Sequence, residues 1–391
     1  MHELLLSEVF PPRPGGSGRW LFEIYRRLDH RALALVDSAA DGRESRDALG
    51  NLTVIRQPFQ LSETGGFCLR GFWQYLRLLQ RVRSTSRGVP IELARAARVL
   101  PEGWVLWIWR RFFAGPPYHV FAHGEEINLM GIELGGVMSS RQHRWMASFV
   151  LAGANRIIAN SHNTASMLRD QWNVPEQKIW VVNPGVDASY FVPAERDRVA
   201  RRRLGWDDRP VLLTVGRLQT RKGHDSVIQA LPKVLKAYPD LLYAIVGDGS
   251  EKERLDNLVD ELGVRDSVRF YSHCDDAVVL SMYQQCDLFI LANRQVGSDV
   301  EGFGMVLLEA AACAKPTLAG QSGGTKEAIV DGITGRLIDG TNCRAVGEAI
   351  VNLLSSPSVA YSMGAAGRLR VEQDFDWAII AAKISKSLDI G

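Results

Sequence analysis

Short apolar runs alternate with helical patterns along most of this chain, and that alternation restricts the fold more than any other feature. In the second half, apolar runs at 211–216, 241–246, 268–271 and 316–319, and one ending at Leu291, are joined by stretches of helical spacing such as 223–237 and 276–285. A strand, a helix and a second strand in that order return to one sheet by a right-handed crossover, so the order predicts a parallel, doubly wound α/β sheet. The first half repeats the layout. Strands are expected at 3–7, 32–37, 52–56, 90–93, 118–122, 156–159 and 178–183, and helices at 19–28, 72–87, 104–113 and 139–152.

At 391 residues the chain exceeds one compact core, so two such sheets are expected. We place a first domain at 1–187, a second at 188–372 and a last helix within 373–391. The charged, Arg-rich, interrupted segment 193–210 reads as the place where one domain hands over to the next. No internal repeat or low-complexity tract is visible.

Composition removes several classes. Apolar residues make up 46% and charged residues 23%, which suits a folded globular protein with sizeable cores. The five cysteines, at 68, 274, 286, 313 and 343, form no Cys-x-x-Cys pair and leave one unmatched, against a disulfide framework or a zinc site and in favour of a reducing cytoplasmic compartment. The N-terminus is too short in apolar residues for a secretory leader, and no stretch reaches the ~18 uncharged apolar residues of a spanning helix. The net charge of +2 hides an asymmetry: residues 1–187 hold 22 Arg and Lys against 17 Asp and Glu, and the remainder 24 against 27. Residues 70–111 alone carry nine Arg and two acids, which predicts a basic face for anionic lipid headgroups or phosphorylated acceptors, and peripheral attachment to the inner face of the membrane. Nucleic acid is not among the expected partners.

The chemistry concentrates at strand ends. Asp299-Val-Glu-Gly-Phe-Gly-Met-Val-Leu-Leu-Glu309 follows a strand and opens a helix, so the amides of Phe303, Gly304 and Met305 and the helix dipole form an anion site. Arg217 and Lys222 sit five residues apart in another strand-to-helix loop, a fork and a point charge suited to one diphosphate. Glu301 and Glu309 would repel phosphate but accept hydrogen bonds from hydroxyls, so phosphate and sugar together, a sugar nucleotide, satisfy the whole set. Gly15 and Gly16 form a glycine-rich loop after the first strand. His123-Gly-Glu-Glu126 ends the strand at 118–122, placing an imidazole and the carboxylates of Glu125 and Glu126 at the C-terminal sheet edge. Asn160-Ser161 caps the following helix with donors that can face a ligand. The one Asp-x-Asp, Asp374-Phe-Asp376, follows a helix and reads as a cap or linker, so no metal site is expected.

The run 293–310 resembles the Glu-x7-Glu motif of the retaining glycosyltransferases of family 4, which have the GT-B fold of two Rossmann-like domains facing across a cleft. The likeness extends to Gly15-Gly16, Arg98-Val-Leu-Pro-Glu-Gly103, His123-Gly-Glu-Glu126, Asn160-Ser161, Asn183-Pro-Gly-Val-Asp187, Arg217 with Lys222, Gly247-Asp-Gly249 and Gly323-Gly324. It implies that Arg217 and Lys222 hold the donor diphosphate, with Gly16 approaching from the other domain and Gly247 and Asn160 also on the donor side. Glu301 and the Phe303–Met305 amides would bind the transferred sugar, Glu309 the ribose and His123 a distal sugar hydroxyl. Arg98 and Glu125 fall on the acceptor side, and the last helix crosses back onto the first domain. The resemblance further implies front-face retention without metal or other cofactor. The His-Gly-Glu-Glu and Arg-Val-Leu-Pro-Glu-Gly segments look like the phosphatidylinositol-mannosyltransferase branch, hence GDP-mannose as donor and a glycan or lipid-linked acceptor in cell-envelope synthesis. One departure is Ala314, where the turn before Pro316 usually carries Gly. A nucleotide-sugar epimerase, another enzyme on the same plan and a non-catalytic nucleotide-sugar binder remain as alternatives. A phosphorylase would need a lysine-bound cofactor signature, which is absent.

Overall fold

The computed structural model describes residues 2–13, 15–38, 44–59, 69–130 and 137–386. The chain divides into two compact units, 1–184 with 377–391, and 185–376. The first contains β1 (His2–Ser7), α1 (Gly16–Tyr25), β2 (Arg31–Asp37), β3 (Ser45–Leu49), β4 (Leu52–Gln57), α2 (Leu69–Thr85) and β5 (Leu93–Ala96). It continues through α3 (Trp104–Phe112), β6 (Tyr118–Ala122), α4 (Arg141–Gly153), β7 (Arg156–Ala159), α5 (His162–Trp172) and β8 (Ile179–Val181). Among the described residues these strands form one sheet in the order β3-β4-β2-β1-β5-β6-β7-β8, parallel except for β3.

The second unit runs through α6 (Arg198–Arg203), β9 (Val211–Val215), α7 (His224–Ala237), β10 (Leu242–Val246), α8 (Lys252–Glu261), β11 (Val268–Tyr271) and α9 (Asp276–Gln285). It ends with β12 (Leu288–Leu291), α10 (Met305–Ala312), β13 (Thr317–Gly320), α11 (Thr325–Ala328), β14 (Arg336–Ile338), α12 (Cys343–Leu354) and α13 (Pro357–Arg370). Its strands are all parallel, in the order β11-β10-β9-β12-β13-β14. The order of the strands reverses between β9 and β12, so the connections leaving these two neighbours run in opposite directions, and it is outside the C-terminal ends of strands at such a point that open α/β sheets bind ligands.

The apolar runs are continuous because both sheet faces are covered. Leu213, Ala244, Phe289 and Ala319 point to one core with Met282 of α9 and Leu307 of α10. Their neighbours Leu212, Tyr243, Ile290 and Leu318 point to the other, with Val227 of α7, Val259 of α8 and Ile350 of α12. After the second unit the chain re-enters the first as α14 (Trp377–Lys386), which packs on α1. Trp377, Ile380 and Ile384 recur at helical spacing, all within 1% of complete burial.

The structure moves one expected strand, adds one that had no signal, and shows how segment 193–210 is held. The strand expected at 90–93 is β5, three residues later, because Pro90 has no N–H for the ladder and Leu93–Ala96 pairs on both sides. β3 is an antiparallel edge strand whose five residues are all exposed, so it carries no apolar period to read. Segment 193–210 packs as part of the second unit. Arg201 is fully buried there, and its guanidinium donates to the carbonyls of Asp207 at 2.8 Å, Gln285 and Arg209. Asp376 likewise serves the backbone: its carboxylate accepts from the Ala188 amide at 3.1 Å. Cys68 lies outside the described residues.

Candidate active site

The sequence-predicted residues fall in two groups, one on each unit. In the second unit, β9 delivers residues 216–223 and β12 delivers residues 292–304 to the reversal in strand order. Arg217 is exposed, and its side chain has no hydrogen-bond partner among the described residues. Lys222 is buried and donates from Nζ to Oε2 of Glu301 at 2.6 Å. Arg221, to which sequence reasoning gave no role, donates to the same oxygen at 2.6 Å and pairs with Asp299 at 2.8 Å. Both cations bind Oε2, so among the described residues Oε1 of Glu301 is left to accept a further bond. Burial alone would raise the Glu301 carboxyl, but Lys222 and Arg221 outweigh it and hold it ionised, below its ordinary value. Burial, with Arg221 and Arg217 nearby, pushes the Lys222 ammonium down against the pull of Glu301.

Gly304 is the N-cap of α10, and Phe303 is buried beneath it. The Gly323-Gly324 turn supports this loop, its Gly324 amide donating to the Glu301 carbonyl at 3.0 Å. One turn into α10, Glu309 is half-buried and accepts at 2.7 Å from the hydroxyl of Tyr283, a residue the sequence reading passed over. Burial raises that phenol well above its ordinary value, so it stays a donor. Gly247 closes the loop after β10 with φ 139°, and a Cβ there would stand 2.1 Å from the Gly216 carbonyl oxygen. Only glycine lets the loops after β9 and β10 approach this closely.

In the first unit, the loops after β1, β5, β6 and β7 supply the named residues. Gly15 precedes α1 and Gly16 begins it. His123 donates from Nε2 to the Ala97 carbonyl at 2.8 Å, and its ring stands nearly perpendicular to that of Trp20. Its amide donates to Glu126 at 2.8 Å. Asn160 is buried and occupied inside the unit: its amide nitrogen donates to the His123 carbonyl at 2.9 Å, and its oxygen accepts from Thr164 at 2.7 Å. It therefore positions the His123 loop. Arg98 pairs with Glu8 and, at 3.5 Å, with buried Glu102, whose Oε1 also accepts from the Glu8 amide. It thus ties the β5 loop to the β1 loop. Glu125 is exposed.

Among the described residues no three His, Cys, Asp or Glu side chains converge as a metal-ligand cluster. None of the described helices is long and apolar enough to cross a membrane.

The profile for glycosyl transferases group 1 matches residues 197–370, and that for Glycosyltransferase Family 4 matches residues 14–190. A D-inositol 3-phosphate glycosyltransferase of Thermobifida fusca is 33% identical over 394 residues, 94% of this chain and 87% of that one. The chain belongs to glycosyltransferase family 4. Within the family, a GDP-mannose-dependent alpha-(1-6)-phosphatidylinositol monomannoside mannosyltransferase of Mycolicibacterium smegmatis is 39% identical over 208 residues. That match spans 52% of this chain and only about half, 54%, of the relative. Among solved structures, sucrose-phosphate synthase from Thermosynechococcus elongatus superposes with a TM-score of 0.82 over 100% of this chain and 98% of its own. At 21% identity that likeness concerns the fold, which is GT-B.

Proposed function

We propose that this family 4 member transfers a hexose, with retention, from a nucleotide-sugar donor to a glycan or lipid-linked acceptor, and that the donor is GDP-mannose. One observation carries the reading: at the strand-order reversal of the second unit, cations and a half-used carboxylate meet beside a helix N-terminus. Arg217 and Lys222 suit a diphosphate, and Oε1 of Glu301 suits a sugar hydroxyl. Glu309 would take the ribose. The relative named for GDP-mannose supports the choice of base and sugar.

In this mechanism the bond between the anomeric carbon and the phosphate oxygen breaks first. Arg217, Lys222 and the free amides before α10 take up the charge left on the nucleoside diphosphate. The acceptor oxygen then bonds the anomeric carbon on the face the phosphate has left, and its proton passes to that phosphate. The charge is neutralised by side chains and amides, and no metal or other cofactor is invoked. Removing one such stabilising donor typically costs about 100- to 1000-fold in turnover.

For the acceptor, we read α2, α3 and α4 together. Adjoining on the first unit, they carry eight arginines and no acid. Phe72, Trp73, Phe112, Trp145 and Phe149 are exposed among them. Aromatic rings beside arginines suit the interface of an anionic bilayer, the location of a lipid-linked acceptor on the cytoplasmic side. Family resemblance alone supports donor-side roles for His123 and Gly16 and an acceptor-side role for Glu125.

The deciding experiment is a melting-temperature screen with GDP-, UDP- and ADP-sugars, since a ligand bound by the native state raises its stability by mass action. GDP-mannose should stabilise the wild type, and Lys222→Ala should lose both that shift and transfer. Stabilisation by no sugar nucleotide would refute the reading. Co-sedimentation with anionic but not zwitterionic vesicles tests the membrane face separately.

A further inference from the structure

We propose that Asp225, through a two-toothed ion pair with Arg294, is a positioning residue that fixes the spacing of the loops bearing Arg217, Lys222 and Glu301; this rests on the donor site proposed above. Asp225 lies in the first turn of α7, just past the β9 loop, and Arg294 lies just past β12. The guanidinium of Arg294 donates to both carboxylate oxygens of Asp225, at 2.8 and 2.7 Å, and to Ser226 at 2.9 Å. Its own amide donates to the Arg221 carbonyl at 2.8 Å. Arg254, from α8 beyond the β10 loop, adds a third donor to Asp225 at 3.0 Å. One carboxylate therefore joins the three loops that leave β9, β10 and β12.

The surroundings leave this join little slack. Gly223 stands at φ 73° with the site of a missing Cβ only 1.8 Å from the Ala292 carbonyl oxygen, so the two loops already touch through backbone. Asp225 and Arg294 side chains are 11% and 15% exposed, which keeps water from competing for the fork. Neither side chain is hydrogen-bonded to Lys222, Glu301 or Arg217, so the pair makes no direct contact with them and bears on them through the loops it spaces. A shift of about 1 Å in a binding group is enough to cost up to about 100-fold in rate.

The test uses Asp225→Asn and Arg294→Lys, which keep size but lose the two-toothed charged contact. Calorimetric titration with GDP and initial rates with GDP-mannose should show weakened GDP binding and kcat/KM lowered by up to about 100-fold, with the main melting transition kept. Arg254→Ala, which leaves the fork intact, should cost less than either. Arg294→Ala should lose more than Arg294→Lys, a partial rescue that a purely structural role would show in melting temperature and not in kinetics. Wild-type GDP affinity and kcat/KM in both conservative variants would overturn the inference while leaving the proposed function standing. A wild-type protein that binds no nucleotide sugar would overturn both.

Discussion

Glu3 in the first unit and Glu301 in the second are each buried beside cations, and the two clusters serve different ends. Glu3, the second residue of β1, is fully buried; its Oε1 pairs with Arg95 at 2.9 Å and accepts from the Tyr25 hydroxyl, while its Oε2 meets His30 at 3.1 Å. Glu301 receives Arg221 and Lys222 on one oxygen alone. In both, cations outweigh the desolvation that would protonate a buried carboxyl, so both are held below the ordinary value. The difference lies in place and in saturation. Glu3 sits at the N-terminal end of its strand with both oxygens engaged, whereas Glu301 follows a strand's C-terminal end with one oxygen in reserve. In a parallel sheet only the second end opens onto a ligand.

Removing the charge at each position should separate stability from chemistry. Glu3→Gln strands Arg95 as a buried cation and should cost about 3 to 5 kcal/mol of folding stability, read by denaturant melts. Glu301→Gln leaves Arg221 its Asp299 partner at 2.8 Å. Its stability loss should be the smaller of the two, and turnover should fall by about 100- to 1000-fold. If Glu301→Gln unfolded as readily as Glu3→Gln while transferring sugar at the wild-type rate, the distinction between the clusters would collapse.

A smaller effect sharpens the first-unit side. The hydrogen bond that His30 donates to Glu3 raises its pKa above the ordinary 6.5, with burial opposing. A pKa raised by folding contributes stability in full below the unfolded value, and that contribution is lost as pH rises through the folded one. Melting temperatures of wild type and His30→Gln should therefore differ most on the acid side of the ordinary 6.5 and converge above the folded value. A gap that widened with pH would mean that neutral His30 is the stabilising form.

How much of this was legible in the sequence follows from what each position requires. Both sheets were, because strands buried on two faces must be largely apolar, as 242–246 and, with Thr214 its one polar residue, 211–215 are. The Gly-Phe-Gly helix start and the cations of the β9 loop were equally visible, since their chemistry lies in residue type. Glu3 was hidden as a polar letter beside the apolar run Leu4-Leu5-Leu6, and its partner Arg95 lies 92 positions away in β5. Arg221 could have been singled out as the third cation of its loop, but its contact with Glu301 spans 80 positions. Tyr283 and Arg294 gave no local signal, because both act through pairings that only the strand order creates.

The smallest prediction concerns Ala314, which departs from the family pattern in the turn between α10 and β13. Its φ of 54° is left-handed, a conformation that costs a non-glycine residue roughly 1 kcal/mol. Ala314→Gly relieves that cost but frees the unfolded chain by about 0.4 to 1 kcal/mol, so the net change should be a gain well under 1 kcal/mol. The turn lies past the far end of the helix that bears Glu309, so kcat/KM should not move. Gly364 packs against the same turn, with the Ala314 carbonyl oxygen 2.1 Å from the position a Cβ would take, so Gly364→Ala must displace backbone and should destabilise the second unit. Opposite shifts in melting temperature with transfer unchanged would place this turn, like Glu3, on the side of stability. A loss of transfer in Ala314→Gly would instead show that the turn sets the position of α10 and its carboxylate.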